Sequence, residues 1–111
     1  MSGLNPIGPR SSTQRKVFRC RARLLLSDGK VFEVRTVDIT TGGMSVMSQQ
    51  DLRVGAQCSL VFELPVHGAL QTLTTEVKIV YATLIGTEGT RLGLRFVTVD
   101  PLRTQLIDGL H

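Results

Sequence analysis

The chain has 111 residues, 41% hydrophobic and 20% charged, which suits one domain with a real core and argues against general disorder. No apolar run approaches the roughly 18–20 residues a membrane-spanning helix needs, and residues 1–14 lack the hydrophobic stretch of a secretory signal, so a cytoplasmic protein without membrane insertion is expected. The net charge of +4 is concentrated: residues 10–35 hold eight basic side chains against two acidic ones, a patch that would recruit anions such as a phosphorylated small molecule or nucleic acid.

Residues 1–14, with Pro6, Pro9 and a Ser-Ser-Thr run, show no period and read as a flexible N-terminal tail. From 19 to 26 the pattern alternates strictly. Cys20, Ala22, Leu24 and Leu26 fall on one face and Arg19, Arg21 and Arg23 on the other, as in a half-buried strand. Ser27-Asp28-Gly29-Lys30 has hairpin composition, and 31–39 is a second strand. Thr40-Thr41-Gly42-Gly43 interrupts it, and 44–47 is a short third strand. A polar connection leads to a fourth at 57–64, where Cys58, Leu60, Phe62 and Leu64 alternate inward. After a turn at 65–68 the longest strand spans about 70–84, with Leu73, Thr75, Val77, Ile79 and Tyr81 on one face. Another turn at 86–89 precedes a last strand at 91–99. Asp100 then suits an N-cap and Pro101 the first helical position, and Leu102, Leu106, Ile107 and Leu110 have helical spacing. Six short antiparallel strands and a terminal helix commonly close into a barrel, which removes exposed strand edges.

Two polar clusters stand out. Arg15-Lys16-Val17-Phe18-Arg19 places two arginines four apart where the tail meets the first strand. Asp38-Ile39-Thr40-Thr41-Gly42-Gly43 joins a carboxylate, a hydroxyl and two glycines at a strand break. Taken singly, each has a bland explanation. Arg-x-x-x-Arg also occurs at Arg19/Arg23 and Arg91/Arg95 and is usually a solvated face. Asp-x-Thr-x-x-Gly can be a turn whose side chains bond their own backbone while glycine supplies a positive φ.

In combination, this order and spacing resemble the PilZ domain, the bacterial receptor module for cyclic di-GMP. An Arg-x-x-x-Arg element precedes the first strand and Asp-x-Thr-x-x-Gly closes the second; Gly93-Leu94-Arg95-Phe96 is similar to the family's closing Gly-apolar-x-Phe strand. The resemblance covers about 15–111, taken as the PilZ domain, and implies an all-β, six-stranded antiparallel barrel with a short C-terminal α-helix. It also implies a binding site for cyclic di-GMP at Arg15, Arg19, Asp38, Thr40 and Gly43, with Lys16 and Gly42 as secondary candidates. Thr40 departs from the family's usual serine, keeping the hydroxyl and adding a methyl. Arg15/Arg19 is preferred over Arg19/Arg23 because it puts one arginine on the lead-in, where it can wrap a ligand.

The chemistry agrees with that carry-over. Arginine can pair a phosphate, fork onto guanine O6 and N7, and stack on a purine. An ionised Asp38 suits the N1–H and N2–H₂ donors of guanine, and Gly43 allows close backbone approach. The resulting expectation is a non-catalytic receptor, without cofactor or metal, whose N-terminal segment changes conformation on binding cyclic di-GMP and signals to a downstream protein in trans. Cys20 and Cys58 are too few for a stapled scaffold or a zinc site; His67 has no partner ligand nearby. Ser45 and Ser59 lack a histidine–acid arrangement, so no catalytic residue is named. A second reading keeps the barrel as a protein-interaction module without the dinucleotide. A third, binding of long nucleic acid, is set aside because aromatic stacking platforms are scarce among the basic residues.

Overall fold

The computed structural model describes residues 15–110; the expected tail at 1–14 lies outside them. The elements follow as β1 Lys16–Val17, β2 Arg21–Leu26, β3 Val31–Ile39, β4 Gly43–Ser48, β5 Gln57–Val66, β6 Ala69–Leu84, β7 Thr90–Phe96 and α1 Pro101–Asp108. Antiparallel pairing runs β3-β2-β5-β6-β7-β4, and β4 returns to β3. The sheet therefore closes into a six-stranded barrel, with β1 as a short addition on the β2 side of β3. The expected all-β barrel with one C-terminal helix is what forms.

Inward-facing residues fill the barrel. Leu24, Leu60, Phe62, Leu64, Val77, Ile79 and Leu92 are fully buried, each contributing about 1.5–3 kcal/mol by leaving water. Phe18 meets Phe62 edge-on, with ring centroids 6.2 Å apart.

The first expected strand, 19–26, starts at Arg21, and an unexpected two-residue strand precedes it. Lys16 and Val17 pair with Ile39 and Asp38, whereas β2 begins with Arg21 opposite Arg35, one residue out of register. The Thr36 hydroxyl bridges the break: it accepts from the Cys20 amide at 2.7 Å and donates to the Phe18 carbonyl at 2.5 Å. A buried threonine thus satisfies backbone groups that a continuous ladder would have paired.

Two single-residue bulges decide which side chains face outward. Val37 is skipped between the Thr36↔Val46 and Asp38↔Ser45 pairs, and Val80 between Ile79↔Leu94 and Tyr81↔Gly93. An extra residue flips every later side chain to the opposite face. Tyr81 therefore leaves the inward face that strict alternation assigned to it and lies outside the barrel. Asp38 is turned outward by the same device.

The helix begins as expected. The Asp100 carboxylate accepts from the Leu102 and Arg103 amides, with Pro101 in the first turn. Its buried face differs from the apolar pattern: Leu102 is exposed, and Arg103 is buried together with Ile107. The Arg103 guanidinium lies 4.2 Å from the Phe96 ring centroid and donates to Thr75 Oγ1 at 2.8 Å and to the Thr98 carbonyl at 2.5 Å. Burial pushes its pKa down.

The β5–β6 hairpin turns on two residues, His67 (φ 50) and Gly68 (φ 82), closed by the Val66↔Ala69 pair. Two positive φ values make it a type I′ turn, which favours Asn-Gly. His67→Asn should raise stability by a few tenths of a kcal/mol, about what the Asn-Gly preference of this turn implies, read as a slightly increased midpoint in urea; a lowered midpoint would refute the type I′ assignment.

Candidate functional site

The outer wall across β3, β4, β7 and β6 carries one row of directly paired residues: Asp38↔Ser45, Ser45↔Gly93 and Gly93↔Tyr81. Ser45 sits between the core residues Met44 and Val46 and so points out. Its hydroxyl donates to Asp38 Oδ1 at 2.8 Å and lies 3.4 Å from the Tyr81 hydroxyl. Gly93 gives the row its shape, because a Cβ there would overlap the Tyr81 ring. The tyrosine can lie on the wall only because this residue has no side chain, and Tyr81 remains 39% exposed.

Asp38 is the charged centre. Its side chain is only 10% exposed, and Oδ2 accepts from Arg15 Nη1 at 3.0 Å and Arg91 Nη2 at 2.9 Å. The two arginines differ in freedom. Arg91 comes from the middle of the wall, is 33% exposed and also reaches Ser45 Oγ at 3.5 Å. Arg15 precedes β1 and is 60% exposed, so it can leave the carboxylate without unfolding anything. The hydrogen bond and charge of Asp38 raise the Arg15 pKa further.

Below the row, the β3–β4 loop folds on itself. Thr40 Oγ1 accepts from the Gly42 and Gly43 amides at 3.1 Å each, and the Thr40 amide donates to the Gly43 carbonyl at 2.9 Å. The hydroxyl thus shapes the turn, as in an ST motif. Neither Gly42 nor Gly43 has a positive φ. Gly43 is needed for a different reason: a Cβ would overlap the Leu94 carbonyl oxygen where β4 passes β7.

A cavity of about 250 Å³ lies over this wall, lined by Arg15, Asp38, Thr40, Gly43, Ser45 and Tyr81, with Gly42 and Arg95 also contributing. The structure thus brings together four of the five residues singled out from the sequence, and Gly42 with them. Arg19 lies apart, exposed on the walls of two neighbouring grooves. Lys16 turns the other way: its Nζ donates to the carbonyls of Ile107, Asp108 and Leu110 at 3.1, 2.9 and 2.8 Å. A cation there complements the negative end of the helix dipole and the carbonyls that follow it.

Sequence reasoning missed three residues. In the sequence Ser45 reads only as a serine without a histidine–acid pair, Arg91 only as surface, and Tyr81 as part of the face that carries Val77 and Ile79. A polar residue between two core residues marks Ser45 as outward-facing, but the partnership of Arg91 with Asp38 depends on the β3–β4–β7 register. Among the described residues, no group of three or more His, Cys, Asp and Glu side chains is placed to hold a metal, and no helix is long and apolar enough to cross a membrane.

Comparison with known proteins places this architecture. The PilZ domain family model matches residues 9–110. Among solved structures, the inhibitor of motility from Bacillus subtilis aligns with TM-score 0.73 at 14% identity, over 84% of this chain and 46% of that one. The PilZ domain of YcgR from Escherichia coli, determined with c-di-GMP, aligns with TM-score 0.63 at 17% identity, over 86% and 84%. The PlzA protein of Borreliella burgdorferi, in complex with c-di-GMP, aligns with TM-score 0.60 at 19% identity, over 91% and 36%. These identities speak for the fold, and the chain spans about half the length of the Bacillus protein, 46%. A search of curated protein sequences gives no significant match. The matched span takes in every strand of the barrel and the helix that follows it, and the chain belongs to the PilZ domain family.

Proposed function

We propose that the protein is a non-catalytic receptor for cyclic di-GMP, with the ligand seated on the outer wall over Asp38, Ser45 and Tyr81. The observation that carries this reading is the placement of Asp38. A carboxylate is held on an open cavity by one fixed arginine, Arg91, and one exposed arginine, Arg15. Guanine offers two adjacent donors that match a carboxylate, and its phosphate can take Arg15 as that side chain leaves Asp38. Arg91 stays behind, so Asp38 remains paired throughout the exchange. The bared face of Tyr81 is a stacking surface for the base. Arg19, beyond the cavity rim, supplies a second cationic contact to a ligand that overhangs it. YcgR and PlzA, which share the fold, have been solved with this dinucleotide.

Release of Arg15 changes the lead-in to β1, and through it the surface offered to a partner protein in trans. No cofactor enters this scheme.

The test is isothermal titration calorimetry with cyclic di-GMP, with GTP and linear pGpG as controls. Saturable heat from the cyclic ligand alone is expected. Heat from none of the three would refute the receptor reading. The interaction-module alternative would then gain weight from a specific feature: Asp38 and Thr40 already have protein partners for their oxygens.

A further inference from the structure

Away from Asp38, the outer face of β2 and β3 holds a charge arrangement that the barrel itself does not require. Arg21 lies directly opposite Arg35. The Leu26 amide bonds the Lys30 carbonyl and the Thr36 amide bonds that of Cys20. Hydrogen-bonded and non-hydrogen-bonded pairs alternate along an antiparallel ladder, so Arg21/Arg35 is a non-hydrogen-bonded pair, where side chains approach most closely. Like charges set directly opposite destabilise a sheet. Both arginines are exposed, and the ion pairs among the described residues are the two on Asp38. Neither guanidinium is therefore neutralised. The nearest acidic register partner, Glu33, faces Arg23 instead.

The two arginines line a groove of about 550 Å³ that shares no lining residue with the Asp38 cavity. Its wall includes the apolar Val37 and the half-buried Met47, and two carboxylates, Glu33 and Glu88, but no aromatic residue. We propose that this groove docks an acidic segment of a partner protein, whose carboxylates fork onto Arg21 and Arg35. A bound carboxylate turns the repulsion between them into shared attraction. Val37 and Met47 accept an apolar side chain between the acidic ones, in keeping with the Arg- and Met-rich character of protein interfaces. Nucleic acid fits less well, because its bases find nothing to stack on.

Arg21 and Arg35 carry the proposal without the dinucleotide, although Arg19, that ligand's proposed second cationic contact, also lines this groove, and the test is made without that ligand. Fluorescence anisotropy would follow the full chain binding a short labelled peptide that alternates glutamate with leucine, with a glutamine–leucine peptide and an oligothymidylate as controls. The glutamate peptide should bind, the glutamine peptide should not, and Arg21→Gln and Arg35→Gln should each weaken binding by about tenfold. The melting temperature of Arg35→Gln should equal or exceed that of the parent, because a repulsion has gone, which separates lost binding from lost folding. Absence of binding by the parent, or binding by either variant as tight as the parent's, would overturn the proposal. So would an oligothymidylate held more tightly through the same two arginines.

Discussion

Asp38→Ala is expected to weaken binding of cyclic di-GMP by about ten- to a hundredfold, while leaving the barrel folded. The substitution removes the acceptor for guanine, where a good bidentate contact contributes about 1–3 kcal/mol. Every 1.4 kcal/mol is about tenfold, so this contact accounts for a loss of about ten- to a hundredfold. The counter-ion that Arg15 and Arg91 lose is missing in the free variant as well and adds nothing to the change in affinity. Asp38 lies on the outer wall and fills no core space, so far-ultraviolet circular dichroism should match the parent. Asp38→Asn should fall between the two, since the amide keeps the shape but turns one acceptor into a donor. Undiminished affinity in Asp38→Ala, measured by the same calorimetry as the parent, would remove this residue from the site and with it the reason for seating the ligand there.

Gly43→Ala should instead damage the fold. A Cβ at this position runs into the Leu94 carbonyl oxygen, a backbone atom that cannot swing away. The same stretch holds the seam between β4 and β7 through Gly43↔Arg95 and a bond from the Phe96 amide to the Gly42 carbonyl at 3.0 Å. Forcing strands apart there should cost about 3 kcal/mol, or roughly 12–20 °C in melting temperature for a domain of this size. Gly42→Ala is the internal control. Its Cβ would meet only Thr40 Oγ1 at 3.8 Å, an ordinary contact, so it should melt within a few degrees of the parent. Equal melting of the two variants would refute the close-approach account of Gly43.

The barrel was legible in the sequence because its strands alternate cleanly. Cys58, Leu60, Phe62 and Leu64 report an inward face without ambiguity, and Asp100-Pro101 marks the helix start. The candidate site was legible where its residues fall in short motifs, Arg15 in the lead-in and Asp38, Thr40 and Gly43 at the strand break. What alternation misjudged follows from the bulges at Val37 and Val80. A bulge is a property of two strands in register, and nothing in the string Ile79-Val80-Tyr81 tells which residue is extra. Tyr81 was therefore assigned to the wrong face. Arg91 was hidden for a related reason: its partner lies 53 residues away, a distance that only the closed sheet spans. Arg103 illustrates the converse. A charged residue reads as solvated, yet here two oxygen acceptors and an aromatic ring offset the cost of burying it.

The bond from Lys16 to the end of the helix also sets an order of events in time. Its three acceptors lie 91 to 94 residues further along the chain, so the lysine has nothing to grasp until almost the whole domain has been synthesised. Contacts of such separation form late because the entropy of closing the intervening chain must be overcome first. β1 offers only two residues of pairing by itself, though Phe18 just beyond it is tied to Val37 and packed on Phe62. The residue before Lys16 is Arg15, so its seat over Asp38 should be completed late, after the helix has docked.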